Sequence, residues 1–261
     1  MTSRRVTAIA VTSALVAVVV FVGLATWFRP SPGPCPAAFR TAVTARATTE
    51  GTQSMLVLIA PFSNDALEAS KVAAGVTTEL MRGIEKREAI RVVYDPGQAP
   101  GGPAASGALR DDACLAGSFV YTIEGANPTR RQQDVENARL GLQAHIAAEI
   151  ERHRVQYLGS PLRILQRASA PQVPTPSDLV LWADFLSNAP DCADPDGHQA
   201  DPATIRAIVA RCAATGTIHR THATVRILGA GDSPRSVGFE QWARDLARAF
   251  CGLISDSCQL A

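Results

Sequence analysis

Six cysteines, a His-x-x-His pair, a run of aspartates and one glycine-rich turn are the residues of this chain whose types and spacing could do chemistry. Cys35, Cys114, Cys192, Cys212, Cys251 and Cys258 form an even set with no CxxC spacing and no accompanying zinc-ligand pattern, which favours disulfides. Spacing leaves their connectivity open. The pairs we expect are Cys251 with Cys258, which is local, Cys192 with Cys212, and Cys35 with Cys114. His219 and His222 flank Arg220-Thr221 and could bring two imidazoles together on a turn, but no third ligand is near, so a basic surface turn is expected. Asp191, Asp194, Asp196 and Asp201 surround Cys192 and His198; their spacing misses the calcium-loop pattern, which leaves a solvated acidic loop pinned by a disulfide. Gly229-Ala230-Gly231 follows a strand, yet Pro234 stands where a dinucleotide loop has its third glycine, and a tight turn is the better reading. Gly117-Ser118 lacks the flanking pattern of a nucleophile elbow. His145 and His153 have no second ligand at a productive spacing and read as solvated helix decoration.

The elements that must position these groups are organised around Ser54 to Asp65, SMLVLIAPFSND, a short and uniformly apolar run that breaks at a proline. Val57 and Ile59 favour extended backbone, and a strand apolar on both sides belongs at a sheet centre with cover on both faces. Ligands of open α/β sheets bind beyond the carboxyl ends of the strands, so Ala60 to Asn64 is the first place to seek a site. Asn64 or Asp65 then caps a helix carrying Leu67, Val72, Val76, Leu80 and Ile84 at helical spacing. Ile90 to Tyr94 is a second strand closed by Asp95-Pro96-Gly97. Ser118 to Glu124 is a third, paired antiparallel at an edge because no crossover helix precedes it. Thr129 to Tyr157 is a polar amphipathic helix whose inward stripe is Val135, Leu140, Leu142, Ile146 and Ile150. Ser160 caps a helix opening at Pro161. Asp178 to Trp182 is a buried strand that delivers Asp184 to its carboxyl end, and Asp201-Pro202 opens a helix with Ile205, Ile208, Val209 and Cys212. Thr224 to Leu228 reads as the last strand, and a helix from about residue 236 to residue 253 packs Phe239, Trp242, Leu246 and Phe250 inward. Residues 36–53 carry no clear period. This alternation predicts an α/β fold: a doubly wound, mostly parallel sheet with helices on both faces.

Composition narrows the function classes. A formal net charge of +1, with Lys71 and Lys86 the only lysines, lacks the concentrated basic surface that nucleic acid demands. Residues 6–28, VTAIAVTSALVAVVVFVGLATWF, contain no charge and are long enough for about 34 Å of helix, which crosses a hydrocarbon core of about 30 Å. A signal peptide has a shorter apolar region and small residues at its cleavage site, whereas this run ends in Trp27-Phe28-Arg29-Pro30. Arg4 and Arg5 favour a cytoplasmic start. The organisation expected is therefore a cytoplasmic N-terminus over residues 1–5, a transmembrane signal-anchor helix over 6–28, a linker over 29–53 and an extracytoplasmic domain over 54–261. In that compartment disulfides persist.

The order of elements resembles a von Willebrand factor type A domain. The residues that carry the resemblance are the LVLIA strand with its Ser/Asn loop, the GSPLRIL helix start, the LVLWAD strand, and VRILGAGDS followed by WARDLARAF. The resemblance implies a metal-ion-dependent adhesion site at the strand ends, built on an Asp-x-Ser-x-Ser loop, a Thr and a later Asp. Here Ala60 stands in place of the first Asp, Phe62 in place of the first Ser and Asn64 in place of the second, while Ser160 matches the Thr and Asp184 the later Asp. A magnesium or calcium ion would be left with Asn64, Ser160 and Asp184, a set short of the close carboxylate such ions use, so no metal and no other cofactor is expected. The resemblance thus implies a non-catalytic module whose rim, Ser63, Asn64, Ser160 and Asp184, meets a protein or cell-envelope component, as a free binder or as an assembly subunit. The competing reading is an anchored extracytoplasmic hydrolase on a related α/β fold.

Overall fold

The computed structural model describes residues 43–47, 53–60, 66–95, 109–115, 119–123, 128–152, 161–170, 175–186, 192–193, 201–232 and 238–261, all within one compact unit. The fold is α/β. Its elements are β1 (Val43–Ala47), β2 (Ser54–Ile59), α1 (Ala66–Glu85), β3 (Ala89–Tyr94), β4 (Arg110–Asp111), β5 (Phe119–Ile123), α2 (Pro128–Arg152), α3 (Pro161–Ser169), β6 (Asp178–Trp182), α4 (Pro202–Ala214), β7 (Thr224–Leu228), α5 (Glu240–Ile254) and β8 (Cys258–Leu260).

One mixed eight-stranded sheet runs in the order β1-β5-β3-β2-β6-β7-β8, with β4 paired to β3. β3, β2, β6, β7 and β8 are mutually parallel, whereas β5 is antiparallel to β3 and β1 antiparallel to β5. β2 lies in the interior with β3 on one side and β6 on the other, as its apolar run requires. Its residues alternate between two cores. Leu56, Leu58 and Ala60 face α3, α4 and α5, while Met55, Val57 and Ile59 face α1 and α2. A strand covered on both faces has no solvent side to mark with polar residues, which is why SMLVLI carries almost none.

Several expectations are corrected here. Residues 43–47, inside the stretch expected to be linker, form β1, which pairs beyond β5 and moves the third expected strand one place in from the edge. β7 is not the last strand: β8 follows α5 and lies parallel to β7. Leu140, expected on the inner stripe of α2, is exposed, whereas Leu142, Ile146 and Ile150 of that stripe are buried as expected and Ala138 joins them. Phe239, expected inside, occupies the N-cap position of α5 and is 53% exposed, because a residue outside the first turn does not share the face of Trp242, Leu246 and Phe250.

Cys192–Cys212 and Cys251–Cys258 are disulfides with Cα separations of 5.1 and 5.5 Å, and both match the expected pairs. Cys114 is also disulfide-bonded; Cys35, its expected partner, lies outside the described residues. Trp182, at the end of β6, fills a notch between Gly75 of α1 and Gly229. A Cβ at either glycine would sit 2.6 Å from the indole, so the two glycines are what allow a tryptophan at this strand end. Among the described residues no helix is long and apolar enough to cross a membrane, and residues 6–28 are not among them.

Candidate functional site

The strand order reverses on either side of β2: the chain passes from β2 to β3 on one flank, and later to β6 on the other. The crevice of an open α/β sheet forms at such a point, beyond the carboxyl ends of the strands. Ladder bonds continue past the strands on this side, from the Ala60 N–H to the Trp182 carbonyl at 3.1 Å, from Asp95 N–H to Ile59 at 2.8 Å, and from Ala183 N–H to Leu228 at 3.1 Å. They hold the ends of β3, β2, β6 and β7 level, and the rim is built on that base.

Three acidic residues stand on it. Asp95, directly after β3, is buried, and Arg163 in the first turn of α3 donates from Nε to both of its carboxylate oxygens at 2.9 and 3.0 Å. Asp184, two residues beyond β6, is 1% exposed; its Oδ1 accepts the Leu186 N–H at 3.0 Å and its carbonyl accepts the Gly231 N–H at 3.2 Å. Phe185 between them takes a φ of +59°, a left-handed conformation that is costly for a side chain bearing a Cβ. Asp232 closes the Gly229–Asp232 turn, where both glycines have positive φ, and its carboxylate faces Lys71 Nζ at 3.3 Å and Arg244 Nη2 at 3.8 Å. The tight turn expected at Gly229-Ala230-Gly231 is therefore present. Lys71 and Arg244 remain about half exposed and bring positive charge to the rim.

Of the residues expected to form the site, the structure places Asp184 at this rim. Ser63, Asn64 and Ser160 lie outside the described residues. Asp95, Arg163 and Asp232 were missed as rim residues. A signal for Asp95 existed, since an aspartate ending a buried strand is the pattern that picked out Asp184. Its partner lies 68 residues away, and that distance hid the pair.

A second polar centre lies inside the α1/α2 core. Asp112 is fully buried; its Oδ1 accepts the N–H groups of Cys114 and Leu115, each at 2.8 Å, and its Oδ2 accepts the Tyr94 hydroxyl at 2.8 Å. His145 Nε2 lies 2.8 and 2.9 Å from the two carboxylate oxygens. Burial pushes the Asp112 carboxyl up, but the His145 hydrogen bond and charge, together with Tyr94 and the Cys114 N–H, outweigh it and hold it below the usual range. Burial and the Asp112 carboxylate together raise the Tyr94 hydroxyl well above its ordinary value. The expectation that His145 decorates a solvated face is thus corrected: it is 1% exposed, because it shares the inner face of α2 with Leu142 and Ile146 and finds Asp112 across the core.

Asp112, Cys114 and His145 are the one trio of ligand-type side chains within reach of one another among the described residues. They fit a metal poorly. The Cys114 sulfur is committed to a disulfide, and both Asp112 oxygens already accept hydrogen bonds. His219 and His222 are exposed and are not part of that trio. Asp201, from the acidic loop, caps α4: its Oδ1 accepts the Ala203 and Thr204 N–H groups at 2.7 and 2.9 Å. Asp191, Asp194, Asp196, His153 and His198 lie outside the described residues. No model of a known protein family matches the chain, and no curated protein matches it.

Proposed function

We propose that this chain is a membrane-anchored, extracytoplasmic binding module of the von Willebrand type A kind, which engages a protein or cell-envelope component through the carboxyl rim without catalysis and without a metal. The observation that carries the reading is the sheet order. Numbered by appearance in the chain, β5-β3-β2-β6-β7-β8 runs 3-2-1-4-5-6, the doubly wound order whose crevice opens between strands 1 and 4. The rim chemistry supports a surface rather than a cation cage. Ala60 follows β2 without a carboxylate, Asp95 is matched by Arg163, Asp184 accepts from its own loop, and Asp232 is matched by Lys71 and Arg244. The apolar run 6–28 and the disulfides support placement of the domain outside the cytoplasm.

The hydrolase reading has one observation in its favour, the Asp112–His145 pair. Both members are buried beneath α2, at 0% and 1% exposure, where no substrate reaches them. A dyad that orients a catalytic base needs an exposed second nitrogen or a nucleophile at a cleft.

The test uses the full chain in native membranes. A photo-crosslinking residue at Lys71 or Arg244 is expected to trap a defined species that the same residue at Arg131, exposed on α2, does not. The double variant Lys71→Glu/Arg244→Glu should lose that species; equal trapping from α2, or no effect of the double variant, moves the interface off the rim. Calorimetric titration with magnesium and calcium is expected to give no heat, and binding with a defined stoichiometry contradicts the metal-free reading. Alkaline phosphatase fused after Ala261 should be active, and an inactive fusion places the domain inside the cytoplasm.

A further inference from the structure

The opposite end of the sheet, at the amino ends of the strands, holds a denser set of charges. Glu79 of α1, Asp178 opening β6, Glu88 just before β3 and Arg226 of β7 are all buried, with Arg82 and Lys86 above them. Their matching is unequal. Glu79 Oε2 lies 2.8 Å from both Arg82 Nη1 and Arg226 Nε. Asp178 takes Arg226 Nη2 at 2.9 Å on Oδ1 and Lys86 Nζ at 3.6 Å on Oδ2. Glu88 has only a share of Lys86, whose half-exposed ammonium lies 3.5 Å from Glu88 Oε1, and among the described residues no well-aligned hydrogen bond reaches either Glu88 oxygen. A fully buried carboxylate without such bonds and with half a counter-charge is in the wrong charge state for its surroundings.

Backbone geometry holds it there. α1 ends in a paired 6→1 and 5→2 motif, with Glu88 N–H bonding the Gly83 carbonyl at 2.9 Å and Arg87 N–H the Ile84 carbonyl at 3.1 Å. The left-handed position, normally glycine, is Arg87 at φ +58°, so its side chain stays outside and the next residue turns inward. The Ala89 N–H then joins the Gln53 carbonyl at 2.8 Å and starts β3.

We propose that Glu88 is a proton-operated latch: with a proton shared between Glu88 and Asp178 the α1–β3 turn is held against the sheet, and loss of that proton leaves Glu88 with only a share of the half-exposed Lys86, beside the Asp178 carboxylate that Arg226 also holds, and loosens the turn. Burial, then the Asp178 carboxylate, pushes the Glu88 carboxyl up to about 7, against the opposing pull of Lys86. The sign follows. Between its ordinary value of 4.5 and about 7 the folded chain holds a proton that the unfolded chain has lost, so stability falls as pH rises through that window. Lys86 from the turn and Asp178 from β6 act on Glu88 directly, and Arg226 from β7 with Glu79 and Arg82 from α1 join the cluster through Asp178.

The experiment follows thermal unfolding and amide exchange of the full chain in detergent from about pH 5 to about pH 8. The unfolding midpoint is expected to drop by about 3 °C or more across that range, and protection at Arg87, Glu88 and Ala89 to fall about tenfold relative to Val180 in β6. Glu88→Gln, which keeps the shape and a permanent donor toward Asp178, should remove the pH dependence of both. Lys86→Ala should move the drop to higher pH, because the ammonium favours ionisation. Equal pH dependence in wild type and Glu88→Gln overturns the latch. If Glu88→Gln does not fold, an unmoved drop in Lys86→Ala, or a Glu88 carboxyl resonance in the wild type titrating near 4.5, overturns it as well.

Discussion

Among the described residues, the two ends of the sheet each contain one side-chain-bearing residue in the left-handed region, Arg87 at φ +58° and Phe185 at φ +59°, and the structure uses the same torsion for opposite purposes. At the amino end Arg87 is exposed and contributes only a backbone turn, while the stabilising contacts belong to its buried neighbours Glu88, Asp178 and Arg226. At the carboxyl rim Phe185 is fully buried, so the strained backbone is what drives its ring into the α3/α4/α5 core and turns Asp184 and Leu186 into the rim loop. At one end the torsion turns the next residue, Glu88, inward while its own side chain stays in solvent; at the other it buries its own side chain and positions the surface proposed to bind. The lesson is that an unusual torsion has to be read with the fate of its side chain before it is called functional.

Substitutions can break or sharpen this comparison. The largest effect belongs to the amino end: Arg226→Ala leaves Glu79 and Asp178 buried without their shared guanidinium and should cost about 3–5 kcal/mol, read from urea unfolding at neutral pH. Phe185→Gly comes next. It forfeits about 3–5 kcal/mol of ring packing and recovers about 1–2 kcal/mol of left-handed strain, a net loss of about 1–4 kcal/mol in the same assay. Gly229→Ala would bring a Cβ to 2.6–2.8 Å of the Trp182 indole at a φ of +78°, and should cost about 2 kcal/mol by overpacking and strain together. Its near-ultraviolet tryptophan signal should change as the ring is displaced. Arg87→Gly is the smallest and has the opposite sign. Relief of strain less the entropy of glycine leaves a gain of about 0.5–1 kcal/mol, visible as a raised unfolding midpoint. If Arg87→Gly destabilises, or Phe185→Gly stabilises, the contrast between the two ends fails.

The rim was partly legible in advance. An aspartate directly beyond a buried strand is a local pattern, and it found Asp184; the same pattern at Asp95 was read only as a turn. Asp201 as a helix cap was equally local, since a cap is satisfied within three residues, by Ala203 and Thr204. The pairings that make Arg163, Arg226 and His145 informative span 68, 48 and 33 residues, and no local period marks them. His145 shows the limit most plainly. On a helix read one residue at a time a histidine among charges looks solvated, whereas its face is set by which side of α2 meets the sheet.

What the chain's sequence settled by itself was the alternation of strands and helices and the double-sided burial of β2; the pairs Cys192–Cys212 and Cys251–Cys258 were expected, but spacing left the connectivity open until the fold closed them. Alternation and burial depend on patterns shorter than about 20 residues, where backbone periodicity acts directly. Tertiary structure alone decided that β1 and β8 join the sheet, that Leu140 and Phe239 point outward, and that three buried acids at the amino end share Arg82, Lys86 and Arg226 unequally. Those outcomes depend on which distant surfaces meet and on the desolvation each meeting imposes, quantities that exist only once the chain has closed on itself.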